Sequence, residues 1–210
     1  MDHEEMRQER PPSILRQKLE RWVGPTIAGL TLVTIEVVQI VVIAAAIIIP
    51  VRYFLVQPFY VRGASMEPTF LDREYLLIDE ISYRFHDPKR GDVVVFRYPR
   101  DPHEFFIKRV IGLPGDTVDI RNGQIIITND EHPDGVILDE PYIDEFPYSG
   151  LGTHTTLNPD EYFFMGDNRG SSLDSRNFGP VKREFLIGRV WVRGWPFTRF
   201  GTFAPPNYNL

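Results

Sequence analysis

Between Trp22 and Val51 the chain carries one charged residue, Glu36, and from Val37 to Ile49 it is nearly all Val, Ile and Ala. A helix that is apolar on every side must be enclosed by protein or by lipid, so this run constrains the fold more than any other stretch. A bilayer core needs roughly 20 apolar helical residues. Val37 to about Val56 supplies them if Arg52 extends its charge to the interface. A frame from about Pro25 to Ile49 would bury Glu36 near its middle, at roughly 2.5 to 3.5 kcal/mol on insertion scales, so the later frame is expected. Pro50 is placed to kink the exit. The run is too long and too far from the start for a cleaved leader, and no small-residue cleavage site follows it. Upstream lie Arg7, Arg10, Arg16, Lys18 and Arg21, the last three within the basic amphipathic "LRQKLERW". Although Arg52, Arg62 and Arg73 lie on the far side, this excess puts the N-terminus in the cytoplasm. Residues 1–35 therefore read as a cytoplasmic tail and membrane approach, 36–57 as a single-pass anchor, and 58–210 as an extracytoplasmic domain.

That domain has a mainly β pattern. Short, turn-bounded β-branched and aromatic runs occur at 74–81 (EYLLIDEI), 91–99, 104–113, 161–167 and 185–196, and "VDIRNGQIII" carries a tight hairpin signal. No strong amphipathic helix follows the anchor. The expected architecture is a folded antiparallel sheet, barrel-like but partly open, behind one transmembrane helix. Residues 129–160, rich in Pro, Gly, Asp and Glu, read as a loop insertion over the surface.

Composition narrows the chemistry. A formal net charge of −6 in 210 residues argues against nucleic acid as a partner, and the absence of cysteine removes disulfides and thiolate metal sites. The five histidines are scattered without metal-ligand spacing. "DNRGSSLDS" has Arg169 and Gly170 where a calcium loop needs oxygen ligands, and "GLPGD" lacks the lysine and helix of a phosphate loop. No metal or other cofactor is expected, and the sequence sets no oligomeric state.

A nucleophile remains. Ser65, in "VRGASMEPTF", is by itself only a turn serine. Lys108 lies in "FFIKRVIGL", a strand pattern whose same-face neighbours Phe106 and Val110 are apolar. Burial lowers a lysine pKa, and a neutral amine could accept the serine proton. Lys108 and Arg109 alternate, however, so only one is expected to point inward, and the pattern leaves open which.

Four ordered motifs, "SMEPTF" (65–70), "RGDVVVF" (90–96), "IKRVIGLPGD" (107–116) and "GDNRGSSLDSRNFG" (166–179), together resemble the successive sequence boxes of the type I signal peptidases of bacteria and organelles. The resemblance runs from about Gln57 to the final "GRVWVRGWPFTRFG". It implies a membrane-bound serine endopeptidase that removes signal peptides from exported preproteins at Ala-x-Ala sites, in a plasma or thylakoid membrane. Its partners would be those preproteins and the lipid bilayer. It implies Ser65 as acyl-forming nucleophile, Lys108 as general base, Ser172 as the hydroxyl orienting the amine, Asp174 and Arg176 as a bracing pair, and the Ser65 N–H as an oxyanion donor. Phe59, Val61, Met66, Phe70 and Ile107 would line shallow pockets for small side chains.

Three residues depart from the family pattern. Gly63 stands where some members carry a second, hydroxyl oxyanion donor, Gly170 where many carry Asp, and Arg62 where proline is common. These departures keep a reduced-activity paralogue open, and a membrane-anchored β-rich binding protein is the alternative of a different class. A soluble Ser-Lys repressor would need a basic DNA-binding unit in place of the apolar run.

Overall fold

The computed structural model describes residues 25–54, 56–143, 152–206 and 208. The chain divides into two compact units, residues 1–51 and 52–210.

In the first, the helix α1 runs over Pro25–Phe54. From Gly29 to Pro50 its mean hydropathy is 2.8, and it is the one helix among the described residues long and apolar enough to cross a membrane. Its apolar side chains are uncovered all round, Leu30 being 70% and Ile40 66% exposed. Thr31 and Thr34 donate their hydroxyls to Ile27 O at 2.9 Å and Leu30 O at 2.8 Å, which spares them the need for water. Pro50 lies inside the helix. The helix ends at Phe54, and Val56 and Gln57, expected in the anchor, already pair with Asp79 and Ile78 as the start of a strand. The basic N-terminal cluster and the Arg52 side chain lie outside the described residues.

The second unit is built on antiparallel sheet. Its strands are β1 (Val56–Tyr60), β2 (Tyr75–Asp79), β3 (Val93–Tyr98), β4 (Asp101–Gly112), β5 (Thr117–Arg121), β6 (Gln124–Thr128), β7 (Val136–Ile137), β8 (Thr153–Thr156), β9 (Glu161–Met165), β10 (Val181–Lys182), β11 (Leu186–Trp195) and β12 (Gly201–Thr202). The larger sheet runs β1-β2-β11-β3-β4-β9-β10, with β12 on β11; the smaller runs β7-β6-β5-β8. After α1 the described α-helices are single turns, α2 (Ser82–Phe85) and α3 (Ser175–Phe178). The continuous apolar run Val93–Phe96 is buried throughout, as a strand covered on both faces requires. Asn122 and Gly123, both at positive φ, form the two-residue turn between β5 and β6.

The described part of the 129–160 segment, expected as a loop insertion, is not loop throughout. It contributes β7 and β8 to either side of the β5–β6 hairpin, and it seats Leu138 and Leu157 in a core with Ile120, Ile127 and Phe163. Two short strands, one of them the polar "THTT", carry too little periodicity to be seen in sequence. Residues 144–151 of the expected insertion lie outside the described residues.

Candidate active site

Ser65 sits on the loop between β1 and β2. Hydrogen bonds from Val61 N to Glu74 O (2.9 Å) and from Arg73 N to Val61 O (3.0 Å) close the neck of that loop. Gly63 has φ +86°, which a side chain would strain, and its N–H donates to Asp72 Oδ1 at 2.8 Å. The glycine that departs from the family pattern is thus the residue this turn requires. Met66 and Phe70, 1% and 0% exposed, point into a core with Val61, Leu76 and Val93. They fix the turn from beneath while Ser65 stays half-buried above.

Lys108 reaches Ser65 from β4. Its Nζ lies 2.8 Å from Ser65 Oγ and donates to Ile107 O at 2.8 Å, 5.2 Å above the Phe106 ring. Burial draws its pKa from 10.5 to about 8, against the upward pull of the Asp174 and Asp167 carboxylates. At that value a substantial fraction of the amine is neutral near pH 8.

The expectation that only one of Lys108 and Arg109 points inward fails, because both are buried. β4 is an interior strand with both faces covered at this point. On the second face Arg109 forms a bidentate pair with Asp167 (2.8 and 2.6 Å), donates to Gly91 O at 2.9 Å, and lies beneath the Tyr142 ring. Thr69 donates to Asp167 Oδ2 at 2.6 Å, tying this pair to the Ser65 loop.

The loop after β9 closes the site. Asp174 is fully buried and caps α3. It accepts from Gly166 N at 3.0 Å and pairs with Arg176 through bonds of 2.8 and 2.7 Å. Ser172 Oγ is enclosed beside Gly166 without a hydrogen-bond partner, so the expected contact with the Lys108 amine is not made in this conformation. A Cβ on Gly166 would meet Ser172 Oγ at 2.2 Å and Ser65 O at 2.4 Å, a close approach that only glycine permits. Gly170 is exposed in the turn between these residues.

A cleft of about 650 Å³ opens at Ser65 and Lys108. Phe59, Val61 and Ile107 line it as expected, and Met66 and Phe70 do not, being packed in the core under the turn. Arg62, His103, Glu104, Phe105 and Leu173 also line it and were not expected. Among the described residues no three His, Cys, Asp or Glu side chains converge as metal ligands would. Sequence reasoning also missed Asn168, whose N–H donates to Ser65 O at 3.1 Å and whose side-chain amide donates to Ala64 O at 3.0 Å. Its place inside "GDNRG" was the available signal.

The family model described as signal peptidase, peptidase S26, matches residues 34–195, which contain this whole constellation. The chain belongs to the signal peptidase family. It is 40% identical to a probable signal peptidase I-2 of Synechocystis sp. over 173 residues, covering 80% of this chain and 76% of that one. It is 36% identical to a signal peptidase I of Leptolyngbya laminosa over 179 residues, covering 81% and 84%. A crystal structure of a signal peptidase I from Enterococcus faecalis V583, 32% identical, overlaps 50% of this chain and 97% of that one with a TM-score of 0.42. In this family member Arg62 is exposed and lines the cleft, and Gly170 is exposed; neither takes part in the hydrogen bonds of Lys108 Nζ to Ser65 and Ile107.

Proposed function

We propose that this member of the signal peptidase family is a membrane-anchored serine endopeptidase, removing N-terminal signal peptides from exported preproteins by acyl transfer through Ser65 and Lys108. The observation that carries this reading is the 2.8 Å separation of a buried lysine amine from a serine hydroxyl at the floor of an open cleft. The neutral amine takes the Oγ proton as Oγ attacks the carbonyl carbon of the residue before the cut. The Ser65 N–H would serve as a donor to the developing oxyanion. The resulting ammonium then gives its proton to the departing amine of the mature chain, leaving the signal peptide as an ester on Ser65. A water, deprotonated by the same amine, hydrolyses that ester.

Donor arithmetic gives Ser172 its role. A neutral amine has two N–H groups and one lone pair. One N–H goes to Ile107 O and the lone pair faces Ser65 Oγ, which leaves one N–H for the enclosed, unpartnered Ser172 Oγ. A side-chain rotation that made this bond would fix the lone pair on Oγ. Asp174 and Arg176 brace the loop and do not react.

For substrate binding, β1 ends the sheet and β4 pairs with β9 only from Arg109 onward, so each presents an edge to the cleft. The rings of Phe59 and Phe105, one from each strand, meet at 5.6 Å. An extended peptide adding to either edge would place alternate side chains toward Val61 and Ile107, which favours small residues at −1 and −3. The anchor adds effective concentration by holding the site near a membrane-tethered precursor. The 18 residues from Val37 to Phe54 span about 27 Å of helix, enough for a bilayer core with Glu36 at its edge. The N-terminus would be cytoplasmic and the peptidase domain would face the other side of a plasma or thylakoid membrane.

The test is incubation of the detergent-solubilised chain with an Ala-x-Ala precursor, with the products read by mass spectrometry. A single cut after the second Ala supports the reading. An intact precursor, or recovery of the protein in the soluble fraction without detergent, contradicts it.

A further inference from the structure

We propose that Glu140 and Tyr142, on the segment between β7 and β8, are positioning residues for the peptidase site, pressing the 166–172 loop against Ser65 through Arg169 and Arg109. This rests on the Ser65–Lys108 reading and extends it to a part of the chain that does not line the cleft.

Arg169 is 3% exposed. Its Nη1 donates to Glu140 Oε2 at 2.6 Å, its Nη2 to Glu140 Oε1, and its Nε to Gly166 O at 3.0 Å. One guanidinium therefore grips the 129–160 segment with two N–H groups and the catalytic loop with a third. Tyr142 adds a parallel link. Its ring covers the Arg109 guanidinium at 3.9 Å, while its hydroxyl donates to Glu140 Oε1 and meets Tyr208 OH at 3.0 Å. Burial, then the Glu140 charge, holds that phenol far above its ordinary pKa, so it stays a neutral donor.

Two buried arginines thus share one cover. Arg109 fixes Asp167 and Arg169 fixes Gly166, the residues immediately before Asn168. On the opposite side of the same loop, Asn168 holds the carbonyls of Ser65 and Ala64. Gly166 packs against Ser65 O and Ser172 with no room for a side chain. Movement at Glu140 is therefore passed to the nucleophile through hydrogen bonds and close contacts, with no flexible link between.

Replacing Glu140 by Gln leaves the Arg169 cation without its carboxylate in a buried site. With the charge gone and one acceptor fewer at position 140, the guanidinium is held less firmly, and its hold on Gly166 O loosens with it. A displacement of order 1 Å at a reacting group lowers the rate by ~10²-fold. Most of the cleft wall belongs to β1 and β4, with Leu173 the one lining residue next to the 166–172 loop, so substrate affinity should be largely spared.

The experiment compares full-length, detergent-solubilised Glu140→Gln, Arg169→Gln and the double variant with wild type and with Glu131→Gln, an exposed carboxylate in the same segment. Precursor cleavage is assayed well below each variant's melting temperature, beside hydrogen exchange of peptides covering 61–72 and 164–172. The expected result is kcat lowered by ~10²-fold with KM within about threefold, a double variant no worse than the poorer single, and faster exchange in both peptides. Glu131→Gln should match wild type. Wild-type kcat in Glu140→Gln, a loss confined to KM, full multiplicative loss in the double variant, or exchange changes confined to 129–143 would each overturn the proposal. An inert wild type would sink the dyad reading instead, and the exchange data would still decide whether Glu140 holds the Ser65 loop.

Discussion

Lys108 Nζ stands 2.8 Å from Ser65 Oγ across 43 residues of sequence, inside a site that draws the amine pKa down to about 8. In the proposed mechanism the active form is the neutral amine. The account therefore predicts that kcat/KM for an Ala-x-Ala precursor rises about tenfold per pH unit below about pH 8 and levels above it. A profile already flat from about pH 6 would show that the base is not this lysine.

The same depression has a consequence for stability, with the opposite convenience. Because the folded-state pKa lies below the unfolded value of 10.5, the unfolded chain binds more protons between about pH 8 and 10.5, and stability rises through that window. Below about pH 8 both states are protonated and the buried ammonium costs up to about 3 kcal/mol. Lys108→Met should raise the urea midpoint at pH 7 while abolishing cleavage. A lowered midpoint would mean that the ammonium is better solvated than its 4% exposure indicates.

The residues that the structure brings together at Ser65 and Lys108 come from local motifs, which is why the sequence pointed to them. Ser65 lies in one box, Lys108 in another and Ser172 to Arg176 in a third. The strands were legible for a similar reason: runs such as Val93–Phe96 need no distant partner to show that they are apolar. What escaped was set by long-range packing. Alternation around Lys108 and Arg109 suggested one inward side chain, yet a central strand buries both and satisfies the second with Asp167, 58 residues away. Met66 and Phe70 were expected in the cleft since they neighbour the nucleophile, but the tight loop turns them into the core. Glu140 meets Arg169 across 29 residues, a pairing that no local pattern announces.

The Arg109–Asp167 pair is almost wholly enclosed, with side chains 1% and 0% exposed. Breaking a buried pair strands a charge, so Asp167→Asn should destabilise the fold by about 3–5 kcal/mol in urea titrations. A change below about 1 kcal/mol would indicate that water reaches this pair.

Gly166→Ala places a methyl group within 2.4 Å of both Ser172 Oγ and Ser65 O. Overpacking of this kind costs about 1–3 kcal/mol, and here it should also move the nucleophile, lowering kcat by ~10²-fold. Wild-type kcat in this variant would show that the Ser65 turn is not held in place from the 166 side.

The central claim is tested most directly by cleavage of an Ala-x-Ala precursor by the wild-type chain beside Ser65→Ala and Lys108→Ala, all detergent-solubilised and shown folded by circular dichroism. The account predicts a single cut after the second Ala by wild type and no detectable product from either variant. Comparable cleavage by Ser65→Ala or by Lys108→Ala would contradict it.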